Sequence, residues 1–277
     1  MIQSLGLRRS PQITELEAAE QPSTAATRLE ETVKLERVPT ERVVVEPGSR
    51  MVYHTDSLSL GADRFRYLRL RLRELAKTGK LKSLLVTSPL PQDGKSTVAA
   101  NLAMALTERG LSPVLLLEAD LYHPTLAERM GLGGGPGLAE CLASDVDPIS
   151  VLRRVEPLGF YFLAAGKAPA NPSDLLHDEA LEKVLRRLLP YFKWIVVDSP
   201  PVAPLADALA LARHTDASLL VVRAGQTPTE AVESAIDILG EKHVLGVVLN
   251  GVEGLGRRYA KYNKYYRYAR ATDPQHH

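Results

Sequence analysis

Residues 81–110 constrain this chain most. LKSLLVTS (81–88) reads as a continuous apolar strand, PLPQDG (89–94) as a turn-rich loop, and KSTVAANLAMALTERG (95–110) as a helix with Gly110 placed to cap its C-terminus. A loop between a buried strand and a helix start gathers free backbone N–H groups and the positive end of the helix dipole at one point, which suits phosphate oxygens. Within it, Gln92, Asp93, Gly94, Lys95, Ser96 and Thr97 are the candidate nucleotide-binding residues. Lys95 would reach the β- and γ-phosphates and the Ser96 hydroxyl would take Mg²⁺. The pattern G-x-x-x-x-G-K-[ST] is incomplete, because Pro89 stands at its first position. On these residues alone, the loop is either a phosphate cradle or a helix start with an incidental Gly-Lys-Ser.

The alternation of strand and helix continues down the chain. PVLLLEAD (113–120), LGFYFLAAG (158–166), KWIVVDSPP (193–201), ASLLVVRAG (217–225) and VLGVVLNG (244–251) read as strands. A helix is expected from about Asp63, where Phe65, Leu68, Leu72 and Leu75 recur every three to four residues. Others are expected over 172–192, with Ser173 as candidate cap, and from about Thr227-Pro228 through TEAVESAIDILGEK. Continuous apolar strands separated by helices predict an α/β fold, a parallel β-sheet flanked by helices on both faces. The 277 residues accommodate one such domain of about 200 residues with flanking segments. The expected division is an arm over 1–48, a domain over 49–256 and a tyrosine-rich tail over 257–277. Both flanks are polar and without apolar periodicity, so neither is expected to fold by itself, although VVV (43–45) could add a strand on docking.

Charge and cysteine content narrow the function classes. A net charge of +1 gives no global field for nucleic acid, and none is expected as a partner. Cys141 is the single cysteine, which removes a disulfide framework or a cysteine-rich metal site and fits a reducing, cytoplasmic setting. No apolar run approaches the roughly 18 residues of a membrane span, and the opening MIQSLGLRRSPQ lacks the apolar stretch of a signal peptide. Any membrane association would then depend on something else holding the chain there. His54, His177 and His243 have no metal-ligand spacing, and Asp56, Glu140 and Asp174 read as solvated or capping groups.

Three carboxylates end apolar strands. Asp198 closes WIVVD, and Glu118 and Asp120 close VLLLEAD. Ligands of open parallel sheets sit at the carboxyl ends of the strands. Asp198 is therefore a candidate for holding Mg²⁺ directly or through water, and Glu118 and Asp120 would face the γ-phosphate, where one of them orients or deprotonates an attacking hydroxyl. The candidate catalytic residues are thus Lys95, Glu118, Asp120 and Asp198, and the candidate metal ligands Ser96, Asp120 and Asp198. A helix-capping aspartate is the bland alternative at position 198. A phosphate loop and this strand together in one α/β chain point to a P-loop NTPase, and the arrangement resembles the MinD/ParA-like superfamily.

With these motifs in order, the chain resembles the cytoplasmic kinase domain of the bacterial tyrosine kinases (BY-kinases) of capsule and exopolysaccharide export. The family's loop runs roughly S-x-x-P-G-E-G-K-S-T, against Ser88-Pro-Leu-Pro-Gln-Asp-Gly-Lys-Ser-Thr97 here. Its D-A-D-L-R-R-P is matched by Glu118-Ala-Asp-Leu-Tyr-His-Pro124. MGLGGGPGLAECLA, AGKAPANPSDLL and VVDSPPVAPLADALALARHTDASLLVVRAGQT resemble the segments that follow. The departures are Glu118 for the first aspartate, Tyr122 and His123 for an arginine pair, and Gln92 for a loop glycine.

The resemblance implies ATP and Mg²⁺ as ligands and autophosphorylation between neighbouring chains. It implies Tyr259, Tyr262, Tyr265, Tyr266 and Tyr268 as phosphoacceptors, although an aromatic, basic patch for single-stranded nucleic acid is another reading of that tail. Asp63, Arg66 and Arg69 stand where the family has an E-x-x-R-x-x-R helix that packs protomers into a ring; a solvated arginine-rich face is the alternative. Asn250 stands where related P-loop proteins read the adenine edge, or is a turn residue before Gly251. Also implied are a membrane-bound polysaccharide co-polymerase that activates and recruits the chain to the inner face of the membrane, and a cognate tyrosine phosphatase. Two other functions remain open at this point: a partition-type switch ATPase, and a ring-forming regulator that has lost phosphotransfer. The first usually carries an extra lysine near the start of the loop, and residues 88–91 are Ser-Pro-Leu-Pro.

Overall fold

A computed structural model describes residues 35–252 apart from 47, 78–80, 109, 145, 168–170, 177 and 204–205. The tail tyrosines 259–268 and most of the N-terminal arm lie outside the described residues. The strands are β1 (Thr40–Arg42), β2 (Ser83–Thr87), β3 (Val114–Glu118), β4 (Arg153–Glu156), β5 (Phe160–Leu163), β6 (Trp194–Asp198), β7 (Ala217–Arg223) and β8 (Val244–Asn250). The helices are α1 (Val52–Thr55), α2 (Leu60–Ala76), α3 (Lys95–Leu106), α4 (Leu126–Arg129), α5 (Leu138–Ala143), α6 (Asp178–Leu188), α7 (Asp207–Arg213) and α8 (Thr229–Leu239).

The strands form one sheet in the order β1-β4-β5-β3-β6-β2-β7-β8. β2, β3 and β6 are buried at every residue, as continuous apolar runs between two helical layers require. Alternation along each strand sends neighbours to opposite faces. Leu84 and Val86 of β2 pack with α3 and Leu72 of α2, while Leu85 packs with α6 and α7 on the other side.

The expected α/β architecture is present, with four local corrections. The sheet is not wholly parallel, because β4 and β5 form an antiparallel pair. β4 reads Arg-Arg-Val-Glu and only Val155 is buried, so its apolar signal is too short to register as a strand. The end of the expected arm is part of the domain: Leu35 and Val38 are buried, and β1 pairs in parallel with β4. Its strand lies at Thr40–Arg42 rather than at 43–45, as a short, charged edge strand that blunts edge-to-edge pairing.

The helix expected to run to Gly110 stops at Leu106. Thr107 turns its hydroxyl back to the Met104 carbonyl at 2.8 Å, and Glu108 takes the left-handed conformation (φ 53°) before the glycine is reached. Finally, Ser173 caps no long helix. It sits in a 3₁₀ turn, Pro172–Asp174, and its hydroxyl is used elsewhere.

Candidate active site

The loop 88–94 joins β2 to α3 in the middle of the sheet. Its shape is held by side chains from elsewhere. Asp93 is buried, and its carboxylate accepts from the Leu90 N–H at 3.2 Å and the Thr227 hydroxyl at 2.8 Å. Asn250, at the end of β8, donates its amide to the Asp93 carbonyl at 2.9 Å. Gly94 then turns at φ 99°, and a Cβ there would lie 2.1 Å from the Asn250 amide nitrogen. Gln92, in place of a glycine, does adopt positive φ, at 68°. A non-glycine residue in that region stores local strain of order 1 kcal/mol. Asp93 therefore shapes the loop with its side chain, and Asn250 reaches across it.

Register brings the acidic groups together. β6 lies between β2 and β3, with Val86 opposite Asp198 and Asp198 opposite Glu118. Asp198 is 1% exposed, and its Oδ1 has no hydrogen-bond partner among the described residues. Burial pushes its carboxyl up to about 7; the Lys95 charge and the Ser96 hydroxyl pull the other way, and Glu118 and Asp120 add to the rise. Lys95 Nζ lies 2.9 Å from Asp120 Oδ2, while Asp120 Oδ1 accepts from the His123 N–H at 3.0 Å.

Glu118 is engaged by backbone amides. Its Oε1 accepts from the Leu126 N–H at 2.6 Å and its Oε2 from the Ala165 N–H at 3.3 Å. Burial raises its pKa, and these backbone donors partly offset that. Both oxygens are used inside the protein, and Glu118 does not line either cavity described next. Through them Glu118 ties the end of β3 to the start of α4 and to the backbone after β5.

Two cavities flank the loop. One, of about 740 Å³, is lined by Lys95, Ser96, Asp120, Tyr122, His123 and Arg129 among others. The other, of about 1000 Å³, is lined by Phe65, Val98, Asn101, Asn250 and Val252 among others. Arg50, Gln92, Gly94, Thr97 and Arg223 border both. Loop, lysine and acidic strand ends thus converge at the carboxyl edge of the sheet, where such folds bind ligands.

A family model described as ParA, NUBPL iron-transfer P-loop NTPase, matches residues 82–263. The chain belongs to this P-loop NTPase family. The iron-transfer activity in that description is said of the family member it names. Among P-loop NTPases the chain is similar to bacterial tyrosine kinases, as the sequence motifs had implied. It is 29% identical to tyrosine-protein kinase YwqD of Bacillus subtilis over 224 residues, 79% of this chain and 92% of that one. It is 33% identical to the putative tyrosine-protein kinase EpsB of Ralstonia solanacearum over 187 residues, 65% of this chain but 25% of that longer one. The solved kinase domain of the Escherichia coli tyrosine kinase ETK superposes with a TM-score of 0.70 at 26% identity, covering 81% of this chain and 86% of that one.

Several residues of this P-loop NTPase site were not anticipated from sequence. Arg129 donates to the Thr97 hydroxyl at 3.3 Å and Arg223 to the Gln92 carbonyl at 3.5 Å. Tyr122 donates to Ser173 at 2.7 Å, and Ser173 to buried Asp207 at 2.8 Å. Arg223 ends a strand that points at the site, which is the one sequence signal that would have marked it. The proposed ring residues are engaged within the chain: Arg66 pairs with Asp63 at 2.6 Å, and Arg69 reaches the Ala105 carbonyl at 3.4 Å. No described helix is long and apolar enough to cross a membrane.

The placement of Glu118 leads to a test. Glu118→Asp restores the family residue but withdraws the carboxylate by one methylene from two amides it now reaches. Phosphotransfer is expected to fall about tenfold or more, as about 1 Å of misplacement can cost roughly 10²-fold. Affinity for ADP, measured by calorimetry, is expected to change little, because Glu118 touches neither the loop nor Lys95. Faster phosphotransfer in Glu118→Asp would contradict a holding role.

Proposed function

We propose that this chain is an ATP-dependent protein-tyrosine kinase that phosphorylates tyrosines in the C-terminal segment of a neighbouring copy, and that it regulates polysaccharide polymerisation and export. One observation carries the reading. Lys95 and Asp120 form an ion pair on the wall of a cavity large enough for a tyrosine ring, and behind them Asp198, buried and in the field of Lys95, keeps one oxygen without a partner among the described residues.

The residues supply the parts that phosphoryl transfer needs. The backbone N–H groups of 92–97 and the start of α3 bind the phosphates. Lys95 would exchange Asp120 for β- and γ-phosphate oxygens, and Thr97 would serve the α-phosphate. The hard oxygen donors Ser96, Asp198 and, once Lys95 has left it, Asp120 fit Mg²⁺, and the Asp198 oxygen without a hydrogen-bond partner is an acceptor such an ion or its water would meet. Held by these residues, the ion would supply positive charge against the negative charge that develops in phosphoryl transfer. Freed from Lys95, Asp120 would also orient the incoming tyrosine hydroxyl. Positioning and charge stabilisation account for most of catalysis in this class.

In this reading Tyr259, Tyr262, Tyr265, Tyr266 and Tyr268 are the acceptors, a ring brings them to the next subunit, and a membrane-bound co-polymerase recruits and activates the chain from the cytoplasmic side, with a phosphatase reversing the modification. Because both Glu118 oxygens are already taken by backbone amides, its replacement of aspartate gives no reason by itself to expect lost phosphotransfer. The test is to incubate the full-length protein with Mg·ATP, with and without the cytoplasmic segment of the co-polymerase, and to map phosphate by mass spectrometry. Phosphotyrosine within 259–268 is expected. ATP turnover with no phosphotyrosine in either mixture would favour a switch ATPase.

A further inference from the structure

Four lysine or arginine side chains line the two cavities around the phosphate loop. Lys95, Arg129 and Arg223 each have a protein partner there, Asp120, Thr97 and the Gln92 carbonyl respectively. The fourth, Arg50, is exposed, borders both cavities, and its guanidinium has no hydrogen-bond or ion-pair partner among the described residues. It comes from the segment before α1, outside the strand–loop–helix unit that makes the phosphate loop.

The backbone at Arg50 is unusual. It sits at φ 60°, where glycine would be the low-strain residue. Such a conformation persists only where the surroundings over-determine it, and here they do. Asn101 of α3, fully buried, donates to the Arg50 carbonyl at 2.9 Å and accepts from the Tyr53 N–H at 2.9 Å. Its amide also donates to the Thr97 carbonyl at 2.8 Å. Met51, 3% exposed, anchors the next side chain in the core. One buried asparagine thus ties the backbone of Arg50 to the helix whose first turn carries Lys95, Ser96 and Thr97.

We propose that Arg50 is a phosphate-binding residue, a cation on a held backbone that reaches the polyphosphate chain of the bound nucleotide from outside the strand–loop–helix unit. This rests on the nucleotide-binding reading above and adds a residue to it. The lining favours an anion: Asp120 is the single carboxylate among the residues bordering the two cavities, and Lys95 already neutralises it. An arginine fork is suited to phosphate oxygens, which it meets through charge-assisted hydrogen bonds.

The test is titration of the full-length protein, wild type, Arg50→Gln and Arg50→Lys, with a fluorescent ADP analogue in the presence of Mg²⁺. It is done at about 0.1 M and about 1 M salt, where the screening length falls from about 10 Å to about 3 Å. Arg50→Gln is expected to bind about tenfold more weakly at the lower salt, with a much smaller deficit at the higher salt. Arg50→Lys should recover part of the loss, and all three proteins should melt together, since the side chain is exposed. Equal affinity of Arg50→Gln and wild type, or a deficit that salt leaves unchanged, overturns the assignment of Arg50 while leaving the nucleotide site standing. A folded wild-type protein that does not bind the analogue overturns the nucleotide reading itself.

Discussion

Lys95→Met is expected to abolish most tyrosine phosphotransfer and, less obviously, to destabilise the protein before any nucleotide is added. The loss of activity follows from charge. A single preorganised donor aimed at developing negative charge is worth about 10²–10³-fold in rate, and Lys95 is the loop's only side-chain cation. The loss of stability follows from its resting partner. Asp120 is 3% exposed and Lys95 13%, and they stand 2.9 Å apart. Removing one member of a buried pair leaves the other charged and unpaired, at about 3–5 kcal/mol in fully buried cases. Partial access of water to Lys95 lowers this to about 2 kcal/mol, a drop of about 4–8 °C in melting temperature for a chain of this size. Adding Asp120→Asn should recover most of the melting temperature and none of the activity. Thermal melts and phosphate mapping check both halves. A Lys95→Met protein that melts like wild type would mean the pair seen here contributes nothing, and one that still phosphorylates tyrosine would remove Lys95 from the mechanism.

Gly94→Ala is expected to have the second-largest effect, through backbone geometry. At φ 99° an L-residue is strained by about 1–2 kcal/mol, and the new Cβ would lie 2.1 Å from the Asn250 nitrogen. Asn250 must give up its bond to the Asp93 carbonyl, worth about 1 kcal/mol, or the loop must open. Either change moves the amides meant for the phosphates, so phosphotransfer should fall about 10²-fold, with ADP affinity falling in parallel. Pairing Gly94→Ala with Asn250→Ala separates the terms. The double variant should regain the stability lost to the collision but not that lost to φ, giving a coupling of about 1 kcal/mol. Normal ADP affinity in Gly94→Ala, measured by calorimetry, would show that the loop does not hold phosphate in this shape.

The site's chemistry was legible because it is local. Gly94-Lys95-Ser96-Thr97 follows a buried strand and opens a helix within one stretch of chain, and Asp198 closes another apolar strand. Strand ends in a parallel sheet converge on one edge, so the sequence alone places their carboxylates together. The periodicity that distinguishes strand from helix is likewise local, which is why the central elements fell near their expected positions. It weakens at the polar edge, and β1 and β4 were therefore not anticipated.

The sequence by itself determined the fold class and the loop, lysine and aspartates around which the site is built. Tertiary structure decided which carboxylate faces the cavity. Glu118 and Asp120 end the same strand, but Glu118 is drawn to amides eight and 47 residues away, Leu126 and Ala165. Arg50 is likewise set over the cavities by an asparagine 51 residues later. These contacts join segments that only the completed fold brings together. No periodicity or motif encodes them, because side-chain pattern records which face a residue takes within its own element and not which distant backbone group will meet it.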